Sequence, residues 1–139
     1  MKMTPRDIRR AAGVHHDLMT VAQLAWRMFD GGPVLGMPGT KLVVTATGGV
    51  RTDEQQREIL KRGASWTLDS RHLTGHALDF AIVTAREMID LADAYWKVWI
   101  ACWRPASIIC EIPIEWGGYW PKPRADGYHI QLPRKEYPA

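Results

Sequence analysis

The chain has 139 residues, a net charge of +3, 46% hydrophobic residues and 24% charged residues. That balance excludes a disordered or low-complexity polypeptide and makes one domain over 1–139, with a real core, the simplest organisation. No apolar run approaches the ~20 residues of a membrane span, Met1 to Arg10 lacks the apolar centre of a secretion signal, and so mild a positive charge cannot choose between nucleic acid and an acidic envelope as partner.

Thr4-Pro5-Arg6-Asp7 reads as a helix start, with Thr4 as cap and Pro5 where its missing N–H costs little. A second helix is expected from Asp17 to Phe29, with Leu18, Val21, Ala22, Ala25, Met28 and Phe29 on one face. The paired His15 and His16 before it read as solvated. Asp30-Gly31-Gly32-Pro33 ends this helix, and the run to Gly39 is expected to be a loop. Leu42 to Thr47 is β-branched enough for a strand leading into Gly48-Gly49, which leaves Arg51 just past a strand end. Thr52 and Gln55 form a capping box for a helix that runs to Arg62 and stops at Gly63.

Ala77 to Val83 alternates, with Leu78, Phe80 and Ile82 on one face and Ala77, Asp79 and Ala81 on the other. Thr84 and Glu87 read as another capping box, opening a long helix over about Ala85 to Trp103 that Pro105 breaks. Ile108 to Trp116 is then expected as one or two strands, interrupted at Pro113. Cys102 thus falls in a helix and Cys110 in a strand, which points to two buried thiols rather than a disulfide. After a Gly/Pro-rich loop, Tyr128 to Leu132 is the last strand, with His129 and Gln131 on the face opposite Tyr128, Ile130 and Leu132. The tail from Pro133 to Ala139 is polar and expected to be loose.

Chemistry concentrates in Ser70-Arg71-His72-Leu73-Thr74-Gly75-His76-Ala77-Leu78-Asp79. An imidazole and a carboxylate at this spacing are two of the three protein ligands of a catalytic zinc site, whose fourth position is left to water. Asp79 and His129 each leave a strand on the face away from its large apolar residues. If those strands are neighbours the two converge, and His72 completes the set. Asp126, three residues before His129 across Gly127, can reach a metal-bound water as a base, or is simply a turn residue. Arg51 can steady an oxyanion, or is solvated. His72 and His76 also have the i, i+4 spacing of helical zinc sites, but Leu73 stands where that motif needs glutamate and Gly75 weakens a helix, so His76 is the weaker candidate.

The pattern Ser70-x-His72-x-x-Gly75-x-Ala77-x-Asp79, followed by Asp126-x-x-His129, resembles the zinc peptidases that include D,D-carboxypeptidases, D-Ala-D-Ala dipeptidases and phage L-alanyl-D-glutamate endolysins. Gly49-Val50-Arg51-Thr52, Ser65-Trp66-Thr67 and Glu115-Trp116-Gly117-Gly118 agree as well, so the resemblance covers about Val43 to Leu132. It implies that His72, Asp79 and His129 bind one Zn2+ per chain, that Asp126 is the catalytic base, that Arg51 stabilises the transition state, and that Ser70 supports the site. It implies an α+β fold, a small mostly antiparallel sheet with helices on one face and the zinc cleft on the other.

The short chain and the Ser70-to-Gly75 wording look most like a single-domain phage endolysin. Such an enzyme cuts the L-Ala-D-Glu bond of the peptidoglycan stem peptide, made in the host cytoplasm and reaching the wall through a holin-type pore. It is expected to be a monomer without nucleic-acid partner or stable membrane insertion. A D,D-carboxypeptidase or dipeptidase and a zinc-stabilised, non-catalytic wall-binding module are the competing readings. Tyr119, where relatives have aspartate, and Gln131, where glutamate is frequent, depart from the pattern and could alter substrate contacts or ligand orientation.

Overall fold

A computed structural model describes residues 1–138. Its centre is β2 (Ala77–Val83), which pairs antiparallel with every strand next to it: β1 (Lys41–Val44) along one edge, β3 (Met88–Ile89) and β5 (His129–Gln131) along the other. β4 (Glu115–Trp116) adds to the outside of β5. The alternation read in β2 is the observed one: Leu78, Phe80 and Ile82 are fully buried and face the helices.

Those helices are α2 (His16–Met28) and a long continuous helix made of α5 (Ala92–Val98), a wide π turn (Trp99–Trp103) and α6 (Arg104–Cys110). The layer is aromatic. Trp103 packs between Phe80 and the edge of Trp26, with ring centroids 5.3 and 5.8 Å apart, and the Tyr95 hydroxyl bridges β2 and β3 by accepting from Ile82 N–H and donating to the Ile89 carbonyl. Helices on one face of a small antiparallel sheet make this the expected α+β fold.

The N-terminal segment does more than start the chain. In α1 (Pro5–Arg10) Thr4 and Asp7 cap each other, and the buried Asp7 also accepts the Val44 N–H at 2.9 Å. Arg10 donates to the Val44 carbonyl at 2.9 Å. The outer edge of β1, where no further strand pairs, is thus satisfied at Val44 by side chains of α1. α4 (Asp53–Lys61) follows with the Thr52–Gln55 capping box and ends near Gly63, which has φ +77° as its left-handed closing position requires.

Several expectations fail for local reasons. The stretch after Asp30 contains a short helix, α3 (Gly31–Leu35), capped by the Asp30 side chain. Thr84 does accept from the Arg86 and Glu87 N–H groups, but the turn it caps joins β2 to β3, and the helix opens only at Ala92. Pro105 does not break the helix: in the π turn the Arg104 N–H bonds the Trp99 carbonyl, and this widening takes up the ring that would press on the preceding turn of a regular helix. As a result Ile108, Ile109 and Cys110 end α6 instead of starting a strand, and only Glu115–Trp116 of the expected strand region pairs. The tail is not loose over the described residues, because Tyr137 donates to Asp17 at 2.7 Å and its carbonyl accepts from Arg71 at 2.8 Å.

Both cysteines are free, Cys102 fully buried and Cys110 only partly so. Burial pushes the Cys102 thiol up to about 12, and the thiolate is the reactive form. Titration with a disulfide reagent at pH 8 is expected to find one accessible thiol, Cys110, in the native protein and two after denaturation. Two rapidly reacting thiols in the native state would contradict this core packing.

Candidate metal centre

In the β2–β5 register Asp79 lies opposite His129. Because Leu78 and Ile130 in the adjoining pair point into the core, alternation sends Asp79 and His129 out through the other face. His72 arrives from a single 3-10 turn, Arg71–Thr74. Ser70 caps that turn by accepting the His72 N–H at 3.2 Å, and Gly75 closes it at φ +77°. At Gly75 a side chain would also press on the carbonyl of Gly13, so the position is restricted twice over.

The three side chains meet at one carboxylate oxygen. Asp79 Oδ1 lies 3.1 Å from His72 Nε2 and 3.0 Å from His129 Nδ1, and all three donor atoms fall within 4.8 Å of one another. Ligands about 2.1 Å from a tetrahedral ion are separated by roughly 3.4 Å, so both Asp79–imidazole separations are within a few tenths of an ångström of the spacing a divalent ion requires.

The outward nitrogens support the same reading. His72 Nδ1 lies 2.9 Å from the buried Gly49 carbonyl and His129 Nε2 lies 2.8 Å from Gln131 Oε1, so the outward nitrogens bear protons and the inward ones are left to take either a proton shared with Asp79 Oδ1 or a metal. Gln131 in turn donates to Glu115 at 3.0 Å. The departure from glutamate at Gln131 therefore keeps an oxygen acceptor for His129 and passes the contact on to a carboxylate. Tyr119 takes no part: it packs on Trp96, Trp99 and Trp116, and its hydroxyl accepts from Trp99 Nε1.

Asp79's second oxygen belongs to Arg51. The buried guanidinium donates from Nη2 to Asp79 Oδ2 at 2.8 Å, from Nε to the Thr47 carbonyl at 2.7 Å and from Nη1 to Gln56 Oε1 at 3.0 Å. Gln56, fully buried on α4, donates onward to Ser65 and to the Thr67 carbonyl. Gln56 was not separable from its exposed neighbour Gln55 by sequence. Only the helical face buried with Ile59 distinguishes them.

Asp126 stands above this group on the loop before β5. Its N–H bonds the Gly117 carbonyl at 2.9 Å, and Oδ1 accepts the Tyr128 N–H at 3.0 Å. Oδ2 has no hydrogen-bond partner among the described residues. A side chain at Gly117 would collide with the Asp126 carbonyl and press on His129, so glycine there is what allows the loop to lie this close. Burial, and then the negative charge of Asp79, push the Asp126 carboxyl above the usual carboxylate range. Burial would push Asp79 the same way, but the His72 and His129 imidazoles outweigh it and hold Asp79 well below that range. Two carboxylates in one cleft are thereby given opposite tendencies.

His76 lies outside the group and bonds Thr74 Oγ1. A further cluster, His15, His16 and Asp17, also brings donor atoms together. Its chemistry is otherwise engaged: His15 Nδ1 caps α2 by accepting the Asp17 N–H, Asp17 takes the Tyr137 hydroxyl, and the His16 side chain is 85% exposed. The His72–Asp79–His129 group instead opens into a cleft of about 1110 Å³. That is at the upper end for a small-molecule site and gives room for a segment of polymer.

Residues 1–131 match the family of phage L-alanyl-D-glutamate peptidases. The chain belongs to that family. Among solved structures it is similar to the crystal structure of Serratia marcescens L-Ala D-Glu endopeptidase ChiX, at 38% identity and a TM-score of 0.79, over 100% of this chain and 95% of the other. None of the curated proteins matches.

Two outcomes are expected for the peptidase's metal content. After zinc loading and desalting, His72→Ala, Asp79→Ala and His129→Ala lose the ion and His76→Ala keeps one equivalent; equal zinc in all four would dissolve the group. Burial lowers the His129 pKa, but the Asp79 carboxylate outweighs it and raises the value above that of a free imidazole. Since a ligand histidine must be deprotonated, zinc affinity should fall as pH drops through that raised value. Calorimetry should show the apparent Kd rising about tenfold per pH unit below it; a Kd flat from pH 8 to 5.5 would contradict the assignment.

Proposed function

We propose that the chain is a zinc-dependent peptidoglycan endopeptidase that hydrolyses the bond between L-Ala and D-Glu in the stem peptide, with His72, Asp79 and His129 as metal ligands. The observation that carries this reading is the meeting of His72 Nε2 and His129 Nδ1 at Asp79 Oδ1, on the floor of a cleft, in a member of this peptidase family. Two imidazoles and one carboxylate are a donor set suited to zinc, and three protein ligands leave room for water. What the ion contributes when bound is acidification of a water molecule and polarisation of a carbonyl.

The remaining work falls to side chains. Asp126, anchored through Oδ1 with Oδ2 free, takes a proton from the attacking water and delivers it to the departing amine of D-Glu; its upward shift brings it closer to a pKa useful for both transfers. Arg51 holds Asp79 Oδ2 so that Oδ1 stays aimed at the histidines, and its buried charge at the cleft wall favours negative charge developing on the carbonyl oxygen. Ser70 keeps the turn of His72 in place. No helix among the described residues is long and apolar enough to cross a membrane. We place the enzyme's action at the cell wall, as a monomer released from the host cytoplasm through a holin-type pore.

The test is mass spectrometry of fragments released from purified sacculi. Zinc-loaded wild type is expected to release peptides that begin with D-Glu, and Asp126→Ala to be slower by about 10²- to 10⁴-fold while retaining zinc. Release of free D-Ala or D-Ala-D-Ala instead would move the chain to the carboxypeptidase or dipeptidase class. Undiminished activity of Asp126→Ala would remove the base from the mechanism.

A further inference from the structure

One wall of the cleft is aromatic and ends in a cation. Beside His129 lies Trp120, with ring centroids 5.0 Å apart; Trp66 meets Trp120 edge-on at 6.4 Å; and the Arg124 guanidinium sits 4.4 Å above the Trp66 ring. Trp66 is 53% exposed, so its ring face is open to the cleft rather than committed to the core.

The other cleft arginines are engaged. Arg51 is bonded by three protein acceptors, Arg71 is buried and donates to the Leu132 and Tyr137 carbonyls, and Arg134 pairs with Asp69 at 3.3 Å. Arg124 has no carboxylate partner among the described residues. Contact with the Trp66 face restricts its side chain, and its N–H donors, without a protein acceptor among the described residues, are free for an acceptor in the cleft.

We propose that Arg124, held by Trp66, is a specificity-determining residue that binds a free carboxylate on the substrate residue following the scissile bond. The proposal rests on the endopeptidase reading above. A glutamate inside a peptide carries two carboxyl groups, one that continues the chain and one left over, and the leftover group is anionic at neutral pH. Arg124 lines the same cleft as His129, and from a scissile carbonyl beside His129 the wall of Trp120 and Trp66 leads to its guanidinium. A planar fork accepts a carboxylate through two parallel hydrogen bonds and loses both when the group becomes an amide.

The experiment uses zinc-loaded enzyme and two synthetic acyl-L-Ala-D-Glu-L-Lys peptides that differ in one group, the second carboxyl of glutamate free or converted to carboxamide. Wild type is expected to favour the free carboxylate at least tenfold in kcat/KM, mainly through KM. Arg124→Gln is expected to bring that ratio to near one, and Arg124→Lys to keep part of it. The ratio does not depend on how much of a variant is folded, so a structural defect cannot imitate the result. Equal rates of wild type on both peptides, or a ratio that survives Arg124→Gln, overturn the proposal while leaving the endopeptidase reading intact. Cleavage of neither peptide by wild type overturns that reading and the proposal with it.

Discussion

Asp79 is the residue on which the arrangement depends. Its two oxygens are divided between two tasks: Oδ1 faces both imidazoles and Oδ2 receives the Arg51 guanidinium. Burying a carboxylate is costly unless its lone pairs are satisfied, and here three cationic or donor groups from three separate segments satisfy them. The same contacts that stabilise the charge fix the direction in which Oδ1 points. Folding and site assembly are therefore one event, since the sheet cannot close around an ionised Asp79 without bringing His72, His129 and Arg51 to it.

The scaffold around this residue serves to limit movement. β2 is held on both edges, the Gly48 carbonyl accepts the Asp79 N–H, and the Arg51 N–H bonds the His72 carbonyl, so that loop and turn lock each other. A side chain at Gly49 would meet the end of α1, which explains how an N-terminal helix remote from the cleft bears on the acceptor of His72. The Arg51–Gln56–Thr67 chain of hydrogen bonds ties the His72–Asp79–His129 group to the segment that carries Trp66. The floor of the cleft and its aromatic wall thus share supports.

Much of this was readable in the sequence because it depends on period and spacing. Alternation in Ala77–Val83 placed Asp79 opposite the core face, alternation around Ile130 did the same for His129, and the two strands proved to be neighbours in register. A cap at Thr4 and a capping box at Thr52 located two helix starts. Where reading failed, a local signal was overridden by a non-local one. Thr84 caps a turn because β2 has an open edge for β3 to fill, and Pro105 is carried by a π turn that aromatic packing of Trp99 and Trp103 accompanies. The contacts that orient the site, Gly49 to His72, Gln131 to His129 and Gln56 to Arg51, link residues whose proximity exists only after folding.

The most direct measurement is anomalous diffraction at the zinc edge from crystals of the chain grown with one equivalent of zinc. The account predicts a single peak about 2.0–2.2 Å from His72 Nε2, Asp79 Oδ1 and His129 Nδ1. A peak at His15, His16 and Asp17 instead, or none near Asp79, would contradict it.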